Sequence, residues 1–134
     1  MFERLFQKKM VDQDQFTSGP YVAVWVGCHT SDQQLDDYLS SGRFSEEFRF
    51  RVEDGRQPEA CVEAFPEPLS ELAQGFSQHQ KFQGEFLQKA SALGVTQASS
   101  MIVFYFMVYS SEGLPVARKP EMTFVGNFWF GGFE

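Results

Sequence analysis

Cys28 and His29 stand side by side in the stretch VAVWVGCHT, residues 22–30. With Cys61 and His79 they make up all the thiol and imidazole groups of the chain. A thiol beside an imidazole is the raw material of a nucleophile and its base, and two of each would suit a zinc ion. The spacing favours neither chemistry. No C-x-x-C or H-x₃₋₅-H pair links the four residues, and zinc sites declare themselves through such pairs. Neighbouring residues on a strand project to opposite faces, which turns Cys28 and His29 away from each other. A pairing of Cys28 with His79 would depend on the tertiary fold alone. The four residues therefore read as structural, and no catalytic residue, metal or cofactor is expected.

Carboxylates are the more abundant chemistry: Asp36-Asp37, Glu46-Glu47 and Glu53-Asp54 are adjacent pairs. Two carboxyl groups can move protons for a hydrolase only where a cleft separates their pKa values. Adjacent acids on a helix or turn are ordinarily solvated instead. Gly131-Gly132 precedes no helix, so it does not cradle phosphate, and neither G-x-S-x-G nor H-E-x-x-H occurs. Phe124, Phe128, Trp129, Phe130 and Phe133 crowd the C-terminal segment. Base-stacking platforms come with lysine and arginine, which this segment lacks, so sheet packing is the expectation, with Trp129 exposed as an interface anchor.

The charge of the 134-residue chain is −7 and unevenly spread. Between Met10 and Gln80 thirteen acidic residues face four arginines and no lysine, a local balance of −9. Phosphate contacts need a basic surface, so direct binding to nucleic acid is not expected. A basic protein partner is favoured, because complementary fields speed and bias encounter. A merely solubilising acidic surface is the plainer alternative. The longest apolar run, Met101–Tyr109, is about half of the ~20 residues a membrane helix needs. The first ten residues lack the apolar core of a secretory signal, and two cysteines without one fit a reducing cytoplasm.

These groups need elements to position them. PYVAVWVG reads as a buried strand built round Trp25, and Thr30 or Ser31 caps a helix that presents Leu35, Tyr38 and Leu39 on one face. Gly42 closes that helix. EFRFRVEDG alternates, with Phe48, Phe50 and Val52 opposite Arg49, Arg51 and Glu53, the period of a half-exposed strand. PEACVEAF suits an edge strand, and PEPLSELAQGF a short helix. HQKFQGEFLQKASALG places Phe82, Phe86, Leu87, Ala90 and Leu93 on one helical side. SSMIVFYFMVYS reads as a strand buried on both faces and MTFVGNFWF as the last strand. The sum is a single α+β domain over residues 20–134, mostly antiparallel sheet against two or three short helices. Residues 1–19 form an extension or a short docking helix with Phe2, Leu5, Phe6 and Met10 on one face.

In this order the segments resemble the immunity protein 22 family of bacterial polymorphic toxin systems. VAVWVGCHTSDQQLDDYLS carries the opening of the likeness: an apolar strand with tryptophan and glycine, then a helix beginning Ser-Asp and ending Asp-Tyr-Leu. FSEEFRFRVEDG, PEACVEAF, LSELAQGFSQHQKF, SMIVFYFMVY and FVGNFWF continue it over about residues 20–130. The resemblance implies a non-enzymatic cytoplasmic α+β protein that binds and neutralises a cognate toxin. An acidic protein of this kind suits a basic toxin such as a nuclease. The expected docking surface consists of Asp32, Asp36, Asp37, Glu46, Glu47, Glu53 and Asp54, with Trp129 as an apolar anchor. A general interaction module of a secretion or regulatory system, and a small thiol or carboxylate enzyme, stand as alternatives.

Overall fold

A computed structural model of the chain describes residues 19–49, 52, 57–110 and 118–133. Its centre is the most apolar part of the sequence. Strand β1 (Tyr21–Gly27) has β3 (Gln97–Tyr105) on one side and β4 (Met122–Trp129) on the other, and β2 (Glu59–Pro68) lies outside β3. The order is β2-β3-β1-β4, and every pairing is antiparallel. Four helices complete the described part: α1 (Asp32–Ser40), α2 (Arg43–Phe48), α3 (Leu69–Ala73) and α4 (His79–Ala92). The chain is α+β.

Helices cover both faces of the sheet, which explains why β1 and β3 are apolar at nearly every position. Val22, Val24 and Val26 of β1, with Met101 and Val103 of β3, meet Leu69, Leu72, Phe82 and Phe86 from α3 and α4. Ala23, Trp25, Ile102 and Phe104 point the other way, against Leu35, Tyr38, Phe44 and Phe48 from α1 and α2. Trp25 is the hub of this second core. Five rings surround it, those of Phe44, Phe48, Phe104, Tyr109 and Phe124, at centroid distances of 4.8–5.7 Å. Such rings bury large apolar areas and add their own edge-to-face attraction.

The alternating segment after α1 is not a strand where it is described. Residues 43–48 wind into α2 instead, so the described residues hold four helices where two or three were expected. Phe44 and Phe48 are four residues apart, and a helix directs both at Trp25, whereas a strand starting at Phe48 would leave Phe44 without that role. Gly42, at φ 91°, supplies the left-handed residue that lets the chain turn from α1 straight into α2. Arg49, at φ 56°, stops α2. The apolar run Met101–Tyr109 also ends early as a strand. Phe106 takes φ 59° and breaks β3, after which the Asn127 side chain holds Tyr109. The Tyr109 N–H donates to Asn127 Oδ1 (2.8 Å), and Asn127 Nδ2 donates to the Tyr109 carbonyl (2.9 Å).

Other expectations hold. Ser31 caps α1, its hydroxyl accepting from the Gln34 N–H at 3.2 Å, and Leu35 and Tyr38 are buried. PEACVEAF lies in the edge strand β2, and Phe124, Phe128 and Phe130 are core residues. The N-terminal docking helix, Phe50, Glu53 and Asp54 lie outside the described residues. No helix among the described residues is long and apolar enough to cross a membrane.

Candidate functional site

The end of β1 brings together groups that are far apart in sequence. His29 follows the strand by two residues and is almost fully buried. Its Nδ1 lies 3.0 Å from Ser100 Oγ and its Nε2 lies 2.9 Å from Glu121 Oε1. The carboxylate only accepts, so Nε2 donates to Glu121, and in the neutral ring Nδ1 then accepts from the Ser100 hydroxyl. Ser100 Oγ also accepts the His29 backbone N–H at 3.2 Å. Glu121 is held from outside by Arg43, whose Nε donates to Oε2 at 2.8 Å and whose Nη2 donates to Oε1 at 3.4 Å. The Arg43 hydrogen bond first, opposed by burial and then reinforced by the His29 hydrogen bond, keeps the Glu121 carboxyl below the ordinary carboxylate range.

Serine, histidine and carboxylate in a row is the hydrogen-bond order of a nucleophilic triad. Here the hydroxyl has no exposed surface. It is sealed by Gly27, where an added Cβ would lie 2.8 Å from Ser100 Oγ and 2.6 Å from the Glu121 carbonyl. The row ties β1, β3 and the approach to β4 to one another, and Arg43 adds α2. Tyr38 completes the cluster: its ring lies 4.9 Å from that of His29, Arg43 sits over it at 5.6 Å, and its hydroxyl donates to Glu47 at 2.7 Å. Burial first, then the Glu47 carboxylate, pushes the Tyr38 phenol far above its usual pKa. Cys28 is exposed and directs its sulfur at the Glu121 carbonyl, while His79 bonds the Phe76 carbonyl, so the two have separate partners.

The structure divides the expected acidic residues. Asp32, Asp36, Asp37 and Glu46 are exposed along α1 and α2. Asp37 accepts from Gln33 Nε2 at 3.0 Å, and half-buried Glu47 serves Tyr38. Trp129 lies at the opposite end of β1, 54% exposed, its ring edge-on to Tyr21 at 5.5 Å. No family model, no curated protein and no solved structure matches the chain.

A second acidic zone was not in the expected set. Glu63, Glu67 and Glu71 line a hollow of about 450 Å³ with Leu72 and Gln74. Partial burial, then the charges of Glu71 and Glu63, raises the Glu67 carboxyl above its ordinary range. The Cys61 thiol is pushed up by burial first and then by Glu63, with Asp32 adding to the negative field. The four-residue spacing of these glutamates was visible in the sequence. A strand-to-helix junction, and not one helix, is what gathers them. Among the described residues no group of His, Cys, Asp or Glu is arranged to hold a metal ion.

Proposed function

We propose that the chain is an immunity-type binding protein that docks a basic protein toxin on the outer face of α1 and α2 and neutralises it by occlusion. The observation that carries this reading is the charge balance of that face. Asp32, Asp36, Asp37 and Glu46 turn to solvent, while Arg43, the cation between them, is engaged by Glu121. Such a surface steers a basic partner and opposes nucleic acid. The exposed ring of Trp129 adds an apolar contact at the far end of the sheet. The likeness of the ordered segments to immunity protein 22 makes a toxin the partner in view, and a cytoplasmic site of action follows from that role. Action by binding alone accords with the sealed Ser100 hydroxyl.

Co-expression with the protein encoded immediately upstream tests the proposal. The chain restores bacterial growth and binds that protein, and the pair Asp36→Lys with Asp37→Lys weakens binding at least tenfold at low salt. Equal rescue and equal affinity for the pair and the parent overturn it.

A further inference from the structure

β2 is an edge strand with an irregularity that projects an aromatic ring into solvent. Val62 pairs with Ser100 and Glu67 with Ala98, so five steps along β2 are matched by two along β3. The surplus forms an arch, Glu63–Ala64–Phe65–Pro66, all four residues of which are exposed. Phe65 at its crest is 76% exposed, the highest value among the large apolar side chains described. A phenylalanine is ordinarily buried, and the cores beneath the arch are filled by other rings. Bulges of this kind commonly re-aim a side chain and mark functional edges. Glu63 and Glu67, two residues before and two after Phe65, wall a hollow with Glu71, and Phe65 itself is not among the residues that line it. Among the described residues no strand pairs with the outer side of β2.

We infer that the Phe65 arch is a second docking point, taking a lysine- or arginine-bearing segment of a partner protein whose apolar side chain rests on Phe65. The inference rests on the proposed binding of a basic protein and adds where that protein is gripped. Charge complementarity fixes the occupant, since the walls of the hollow are three glutamates and Leu72 and Gln74 add no charge. Pro66 and Pro68 lack the N–H groups that continuous strand addition requires, so side chains make the contact. An aromatic anchor set among rim charges is a common plan of a protein-binding hot spot.

The test uses the full chain and a synthetic peptide, Lys-Leu-Lys-Leu-Lys with blocked ends, followed by backbone amide shifts. The shifts gather over residues 61–74, and Phe65→Ser and Glu67→Gln each weaken peptide binding by about five- to tenfold. Glu85→Gln, at an exposed carboxylate of α4, leaves it unchanged. Phe65 is exposed and Glu67 half-buried, and dispersed spectra of the variants establish that they fold. Shifts centred on α1 and α2, absence of binding, or unaltered affinity in Phe65→Ser overturns the inference. Toxin neutralisation measured on these variants and on the pair Asp36→Lys with Asp37→Lys separates the two readings. If neutralisation depends on Asp36 and Asp37 but survives Phe65→Ser and Glu67→Gln, the arch is excluded and the immunity reading stands. If none of these substitutions affects it, the immunity reading itself fails.

Discussion

His29 has both ring nitrogens and its backbone N–H committed, to Ser100 on one side and Glu121 on the other. Burial leaves these polar atoms no recourse to water, so each bond is costly to lose. Glu121 is the acceptor on which Arg43 and His29 converge, and its lowered pKa has a definite consequence for stability. A carboxyl held below its unfolded value stabilises the fold fully above that value, near 4.5, and loses the contribution as pH falls through the lowered folded value. Urea midpoints between pH 7 and pH 3 should therefore fall on the acid side. In Glu121→Gln the midpoint is lower at pH 7 and the acid decline is shallower. An unchanged decline would show that other carboxylates govern acid unfolding. At this scale the sequence was legible in part. Cys28 and His29 do part, Cys28 exposed and His29 buried, but both lie past the end of β1, so strand alternation is not what separates them. The partners of His29 were not legible, because they stand 71 and 92 positions away.

At the scale of elements, α2 decides how the Trp25 core closes. Phe44 and Phe48 both lie against Trp25, at 5.2 and 5.7 Å between ring centroids, and neither has exposed surface. Truncating a buried phenylalanine costs about 3–5 kcal/mol, from lost transfer energy and an unfilled cavity. Phe44→Ala is expected to lower stability by that amount in chemical denaturation and to weaken the near-ultraviolet signal of Trp25. A loss below about 1 kcal/mol would mean that α2 is not anchored as described. Most elements were readable from period and caps: the Ser31 cap, the Leu35 and Tyr38 face, and the Phe82, Phe86 and Ala90 stripe. The segment round Phe48 was not, because the strand pattern Phe48, Phe50, Val52 overlaps a helical pair, Phe44 and Phe48. Local period leaves both open, and the position of Trp25 selects the helix.

The described residues form a four-stranded sheet with helices on both faces, and three of the four tyrosines are built into the seams. Tyr38 bonds Glu47, Tyr105 bonds Glu59 and the Ser77 carbonyl, and Tyr109 bonds the Phe48 carbonyl. Burial, first in each case, raises all three phenol pKa values above the usual 10, with the glutamates adding to it for Tyr38 and Tyr105. Their raised folded values leave stability intact below pH 10, and it falls as pH rises beyond the unfolded pKa, where only the unfolded chain sheds the protons. Absorbance at 295 nm is expected to show these three phenols ionising together with the loss of circular dichroism. Ionisation of all three ahead of unfolding would contradict the packing described.

Much at this scale was present in the linear chain. Continuous apolar runs at Val22–Val26 and Met101–Phe104 demand cover on both faces of a sheet, and the absence of lysine from Val11 to Gln80 makes an acidic surface unavoidable. These properties depend on composition and short-range order, so no contact need be known to read them. Tertiary structure alone decided that Ser100, His29, Glu121 and Arg43 form one network, that Glu63, Glu67 and Glu71 share a hollow, and that Phe65 stands out while Phe44 and Phe48 turn in. Each depends on distances between residues remote in sequence or on the register of β2 against β3. Neither quantity exists until the chain has closed on itself.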